Sequence, residues 1–248
     1  PGPSTANVDE VTIPTGAPSR TSLAPVATSA GGYLESPHMG RGVARGDLDN
    51  DGHPGFYLGT GYPSFEALVP NVMFRNDGAG GFTDVTFSGG FGHLQKGHGI
   101  AFGDLDRDGD QDILAQIGGA YRGDHGANAL YENPGHGNHW ISLRLVGVTS
   151  NRAAIGARIK VEIATEAGTR SVYARVNSGG SFGASTLEQE VGLGRAQRIL
   201  SLEVYWATSG ILQVFRDLPV DVHMTLRESS DELEFLDLLP IRFHSSPE

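Results

Sequence analysis

The stretch that decides the fold is GDLDRDGDQD, residues 103–112, which repeats GDLDNDGHPG, residues 46–55, almost letter for letter. The neighbouring segments match as well, GVARG with GIAFG and NVMFRN with NALYEN. All three matches share one offset of 57 residues. A constant offset indicates that a structural unit of this chain is duplicated.

Each unit reads as several short strands separated by turns. GVARG and GIAFG precede the acidic loops, GFYLGT and DILAQI follow them, and VMFRN and ALYEN come next. A helical period is absent from this half, whereas short strands with turn residues between them are typical of a propeller blade or a small sandwich. We therefore predict an all-β fold with two propeller-blade-like repeats in residues 35–136.

The pattern changes after the second repeat. HWISLRLVGV, GARIKVEIAT, RSVYARV and LSLEVYWA alternate apolar and polar positions, as half-buried strands do. This predicts an antiparallel β-sandwich in residues 137–228, with Trp140 and Trp206 anchoring its core.

The two ends have different compositions. Residues 1–34 are rich in Pro, Ser, Thr and Gly, which predicts an extended N-terminal arm or linker. Residues 229–248 are predicted to be a C-terminal tail that could dock on a neighbour, with a short helix before Pro240. Because the chain starts at Pro1 rather than at Met, we expect it to be processed or trimmed.

Composition excludes several classes of function. The net charge of −11 argues against nucleic-acid binding, which needs clustered Lys and Arg. The absence of Cys leaves neither disulfides nor thiolate metal sites and fits a location outside the reducing cytosol. No run of about 18 apolar residues predicts a transmembrane segment, and the N-terminus does not read as a signal peptide.

The two acidic loops give the clearest indication of a binding site in the sequence. Carboxylates alternate at loop positions 1, 3 and 5 and Gly follows at position 6, so several like charges share one tight turn. Calcium takes six to eight oxygen ligands and suits this pattern. An EF-hand would have Glu at position 12, but the residues there are Leu58 and Ala115.

The alternative is a nine-residue calcium loop closed by an acid at position 9. The second loop supplies the complete predicted set: Asp104, Asp106, Asp108, the backbone carbonyl of Asp110, and Asp112. The first loop supplies an incomplete set: Asp47, Asp49, Asp51 and the backbone carbonyl of His53, followed by Gly55. We expect the first loop to bind calcium weakly, to borrow a ligand, or to survive only as a turn. The competing hypothesis for both loops is a solvated acidic turn held by Asx hydrogen bonds.

These residues carry a resemblance to known families. The acidic loops with NVMFRN and NALYEN resemble FG-GAP/VCBS repeats, which form blades of integrin-like propellers. NHWISLRLVGVTSNRAAIGARIKV, GLG and the WATSG turn resemble the ASPIC/UnbV domain of cartilage-acidic-protein-like and bacterial UnbV-like proteins. The resemblance covers about residues 40–228 and implies that the aspartates of both loops are calcium ligands. Two repeats are too few to close a propeller, so their sheet edges need cover from this chain or from other subunits.

The function predicted from these features is that of an extracytoplasmic, calcium-binding interaction or assembly module that could be one subunit of a larger complex. Self-assembly or a protein partner is expected, and the prediction allows peripheral association with a membrane complex. The rival hypothesis is an enzyme or carbohydrate-binding protein with a site at the repeat–sandwich junction, near His93, His98, Tyr121 and His125. GGSFG around Ser181 fits the G-x-S-x-G pattern of serine hydrolases but lacks the required strand-to-helix context. We assign no function to the two RGD tripeptides.

Overall fold

The computed structural model describes residues 40–61, 68–94, 96–119, 122–123, 126–180 and 186–243. The predicted arm at 1–34 lies outside the described residues. Within them the chain is all-β and propeller-like, with fifteen strands in four small sheets and no helix. None of the described segments could therefore cross a membrane as a helix.

The first repeat forms a four-stranded antiparallel meander in which each strand pairs with the next, as in a propeller blade. Its strands are β1 (Gly40–Gly46), β2 (Gly55–Thr60), β3 (Val72–Asn76) and β4 (Phe82–Asp84). The second repeat forms a three-stranded antiparallel sheet in the same order. Its strands are β5 (Gly97–Gly103), β6 (Asp112–Ile117) and β7 (Ala129–Tyr131).

The two repeat sheets share one hydrophobic core, which includes Tyr57 and Met73 from the first and Phe102 and Ile113 from the second. Strands β1 and β5 approach each other closely because Gly46 leaves room for a ring. A Cβ atom at Gly46 would lie 2.0 Å from the Phe102 ring. The glycine therefore sets the distance between the two repeats.

The second half of the chain forms two more four-stranded sheets, ordered β10-β9-β12-β13 and β11-β8-β14-β15. Their strands are β8 (His139–Val146), β9 (Arg158–Thr165), β10 (Gly168–Arg175), β11 (Gln189–Gly194), β12 (Ile199–Tyr205), β13 (Leu212–Leu218), β14 (Val222–Arg227) and β15 (Leu233–Leu236). All neighbours pair antiparallel except β8 and β14, which run parallel. Buried side chains of both sheets form a single core.

Three details differ from the sequence expectations. The pairing in the second half of the chain is not antiparallel throughout, because β14 pairs with β8 in parallel. The prediction of a short helix before Pro240 is wrong, because Leu233–Leu236 forms an edge strand that pairs with β14. Trp206 is fully buried in the core as predicted. Trp140 does not belong to that core. It lies instead against the second acidic loop, where its ring contacts the backbone at Gly109 and the ring of His223.

Candidate functional site

The first acidic loop connects β1 to β2 and gathers its carboxylates on the inside of a tight turn. One oxygen from each of Asp47, Asp49 and Asp51 lies within 4.8 Å of the others. Positive φ angles of 51° at Asn50 and 85° at Gly52 produce the turn. The two Asp47 oxygens accept hydrogen bonds from the N–H groups of Asp51 and Gly52, at 3.2 and 2.8 Å.

The second acidic loop connects β5 to β6 and repeats this geometry. Oxygens of Asp104, Asp106 and Asp108 lie within 4.8 Å of one another. The φ angles are again positive at positions 4 and 6, with 64° at Arg107 and 95° at Gly109. Asp104 accepts hydrogen bonds from the N–H groups of Asp108 and Gly109, at 3.1 and 3.2 Å. The sequence duplication is therefore a duplication of loop structure.

The carboxylates of Asp110 and Asp112 do not belong to the group of three carboxylates. Asp112 is buried, and its oxygens accept hydrogen bonds from the N–H groups of Leu105 and Asn133, at 3.1 and 2.9 Å. The Asp110 carboxylate accepts a hydrogen bond from the amide of Asn50, 2.5 Å away in the first loop. The acid at position 9 thus ties the second loop to the segment that follows β7, and Asp110 ties the two loops together.

His53 is held by the second half of the chain. Its Nε2 lies 2.8 Å from a guanidinium nitrogen of Arg170, which donates to it. The imidazole Nε2 is therefore already hydrogen-bonded to an arginine. The ligand predicted from the sequence at this residue is the backbone carbonyl, which this hydrogen bond does not involve.

Burial and neighbouring negative charges raise the pKa values of carboxylates in both acidic loops. Burial, together with the charges of Asp108 and Asp106, raises the pKa of Asp104 to about 6, although hydrogen bonds from backbone N–H groups of the loop act in the opposite direction. Burial and the charges of Asp108 and Asp112 raise the pKa of Asp106 to about 6. In the first loop, burial raises the pKa of Asp47 to about 7. A bound cation would favour the ionised carboxylates and lower these pKa values.

The donor set of the second loop fits calcium. Its ligand atoms are hard carboxylate oxygens gathered around one centre, without the imidazole or thiolate groups that select transition metals. Among the described residues, no cationic side chain forms an ion pair with Asp104, Asp106 or Asp108.

A polar bridge connects both loops to β11. Gln111 accepts a hydrogen bond from the N–H of Asp47 at 2.7 Å and donates one to Glu190 at 2.7 Å. Glu190 also accepts from the N–H of Asp104 at 3.0 Å. Burial raises the pKa of Glu190 to about 7. Sequence reasoning missed Gln111 and Glu190, because nothing in their local patterns indicates a contact over 79 residues.

A cavity with a volume of about 630 Å³ borders the first loop. Phe91 and Tyr131 form part of its apolar wall, and Asp49, Arg75 and Glu132 contribute charged groups. The rival site was expected elsewhere. His93 and His98 do not line this cavity, and Tyr121, His125 and Ser181 lie outside the described residues.

The fold and the site together define an all-β protein. Its first half contains two blade-like sheets, each with an acidic loop, and its second half contains two further sheets. Comparison with known families agrees: residues 47–115 match the FG-GAP-like repeat family, and residues 147–233 match the ASPIC and UnbV family. These two matches confirm the sequence resemblance: one segment of the chain is similar to the FG-GAP-like repeat and a second segment is similar to the ASPIC and UnbV domain. No curated protein matches it significantly.

Proposed function

We propose that this protein is an extracytoplasmic, calcium-binding β-protein that acts as an interaction or assembly module. In the second loop, Asp104, Asp106 and Asp108 would hold the ion, with the Asp110 carbonyl and Asp112 as the remaining predicted ligands. The observation that carries the proposal is the crowding of three carboxylate oxygens within 4.8 Å, where no described cationic side chain pairs with them. Such crowding is unfavourable without a counter-ion.

Calcium would supply that counter-charge and stiffen the loop. Because Glu190 holds the backbone of Asp104, the same ion would also stiffen the contact between the second repeat and β11. We therefore propose that calcium keeps the repeats and the ASPIC/UnbV part in a fixed mutual orientation, so that they present one continuous surface.

The interaction role is supported by a sheet edge to which no other described strand is hydrogen-bonded. Strand β7 is an edge strand of three residues, and Leu130 on it lies opposite Leu114 of β6. Both leucine side chains are largely exposed, at 44% and 45%. An edge strand with an apolar pair is a site where another chain can add. We propose a protein partner or a second copy of this chain as its occupant.

The test is the calcium content per chain of purified protein, measured with native mass in the presence and absence of a chelator. We expect at least one tightly bound calcium, and its loss from an Asp104→Asn/Asp106→Asn double variant that keeps the wild-type circular dichroism spectrum. Asp84→Asn, an exposed aspartate outside both loops, is the control and should keep the calcium. Protein that binds no calcium and shows no change in mass or stability with chelator contradicts the proposal.

The cavity beside the first loop favours one alternative, a small-molecule or carbohydrate site. A cavity of about 630 Å³ with aromatic walls and charged groups has the size and lining of ligand pockets. A screen against glycans and ester substrates tests this alternative. Binding or turnover that is lost with Glu132→Gln and kept with the exposed Glu166→Gln would support it, and a silent screen would leave the interaction module as the better explanation.

The proposal includes the domain organisation and the location. Residues 35–136 would form the repeat unit and residues 137–228 a β-sandwich, which is supported by the single core between two four-stranded sheets. The extracytoplasmic location is supported by the FG-GAP-like match, since such repeats are typical of extracellular proteins.

A further inference from the structure

The duplication provides an internal control for the two acidic loops. In the first repeat, the Asn76 amide donates to the carbonyl of Pro54 at 3.2 Å. In the second repeat, the Asn133 amide donates to the carbonyl of Gln111 at 3.1 Å. These pairs are related by the same offset of 57 residues. Residues with this offset therefore occupy equivalent places, and differences between them can be interpreted one by one.

The first difference is at loop position 9, where Gly55 stands in place of Asp112. A Cβ atom at Gly55 would lie 2.3 Å from the carbonyl oxygen of Phe74. The backbone of β3 thus fills the space that a side chain would need. The first loop has no carboxylate at this position and no room for one.

The second difference is the charge next to the loop, where Arg75 stands in place of Glu132. Arg75 Nε lies 2.8 Å from Oδ2 of Asp49, the carboxylate at loop position 3. The Asp49 side chain is only 16% exposed, whereas that of Arg75 is 60% exposed, so the guanidinium reaches inward from the surface. In the second repeat this position has a carboxylate, which adds negative charge near Asp112.

We infer that the first loop binds no calcium, because the guanidinium of Arg75 provides the positive charge that calcium would provide in the second loop. The loop keeps the calcium-loop backbone and three carboxylates but holds an internal cation. The wild-type chain then binds one calcium, at the second loop. This inference rests on the proposed function for its comparison loop, although its own variants test it separately.

The position of Trp140 allows a luminescence test with terbium, which binds calcium sites and is excited by a nearby indole. The Trp140 ring contacts the second loop at Gly109, and the other Trp, Trp206, is buried in the core of the second half. Because the Asn50 amide of the first loop donates to the carbonyl of Gly109 at 3.0 Å, both loops lie near Trp140, and variants of each loop are needed to assign the sensitised emission. Calorimetric titration with calcium counts all sites.

For wild-type protein we expect one calcium equivalent, with sensitised terbium emission that calcium displaces. Asp104→Asn/Asp106→Asn should abolish both signals, whereas Asp47→Asn should keep the equivalent and the emission. Arg75→Glu, which copies the second repeat, should add a second and weaker calcium equivalent in the calorimetric titration. Arg216→Glu makes the same charge change at an exposed position on β13 and should leave the count at one.

A second readout does not depend on metal. In chelator, Arg75→Gln should lower the thermal midpoint of unfolding more than Arg216→Gln does, because it leaves the first-loop carboxylates without a counter-charge.

Two calcium equivalents in the wild type would overturn the inference and leave the proposed function intact. If the wild type binds none, the proposed function fails, and a calcium equivalent gained by Arg75→Glu would still support the inference. If Arg75→Glu binds no more calcium than the wild type does, Arg75 is not what excludes calcium from the first loop, and the inference is wrong.

Discussion

Replacement of Glu228 by Gln should destabilise the ASPIC/UnbV part strongly at neutral pH and weakly in acid. Glu228 is 2% exposed and follows β14. One of its oxygens accepts hydrogen bonds from three consecutive N–H groups, those of Val148, Thr149 and Ser150, at 2.6, 2.7 and 2.7 Å. The other oxygen accepts from the Ser150 hydroxyl at 2.8 Å. This carboxylate therefore fixes the turn after β8.

The magnitude follows from the pKa. Burial alone would raise the pKa of Glu228, but hydrogen bonds from the Ser209 hydroxyl and from the turn outweigh it and lower the pKa from 4.5 to about 2. At about 1.4 kcal/mol per pKa unit this difference corresponds to about 3 kcal/mol, and screening by solvent near the turn reduces it to about 2 kcal/mol. A Gln amide that turns its NH₂ group toward an N–H loses further stability.

Because the folded-state pKa lies below the unfolded one, this stabilisation is complete above pH 4.5 and declines as the pH falls toward 2. Urea unfolding of wild type and Glu228→Gln from pH 7 to pH 3 measures it as the difference in free energy of unfolding. We expect a difference of about 2 kcal/mol or more at pH 7 that shrinks below pH 4.5. Glu166→Gln, at an exposed turn, is the control and should match the wild type. A Glu228→Gln protein as stable as wild type at pH 7, or a difference independent of pH, would refute the reasoning.

Two further substitutions test the packing around the sites. Gly109→Ala should cost about 3 kcal/mol or more, because φ is 95° and a Cβ would lie 1.8 Å from the Trp140 ring. Gly90→Ala, with φ of 76° and nothing within 4 Å, should cost only about 1 kcal/mol in the same urea assay, and equal losses would contradict the steric argument. Trp206→Phe should lower the free energy of unfolding by about 1–3 kcal/mol, because it leaves the buried side chain of Gln213 without its indole donor at 2.5 Å. A neutral effect would contradict this reasoning and would mean that the N–H of Ser229, which also donates to Gln213 Oε1 at 3.2 Å, satisfies that oxygen alone.

Local patterns in the sequence were sufficient to predict most strands. GFYLGT, VMFRN and DILAQI coincide with β2, β3 and β6, since alternation and flanking turn residues are local properties. Strands β11 and β15 are among those that these local patterns did not reveal. Strand β11 is short and ends in the Gly-rich GLG segment, and β15 lies in an acidic stretch that reads equally well as a helix.

The sequence by itself determined that the chain is all-β, that a loop with three carboxylates occurs twice, and that the second copy has an acid where the first has Gly55. These are matters of composition, spacing and repetition, which are visible without coordinates. Only the tertiary structure decided that Glu190 holds the second loop, that β3 leaves no space at Gly55, and that Arg75 neutralises Asp49. Each of these depends on groups far apart in the chain or on distances of a few ångströms, and such contacts form only when the strands that carry them have packed.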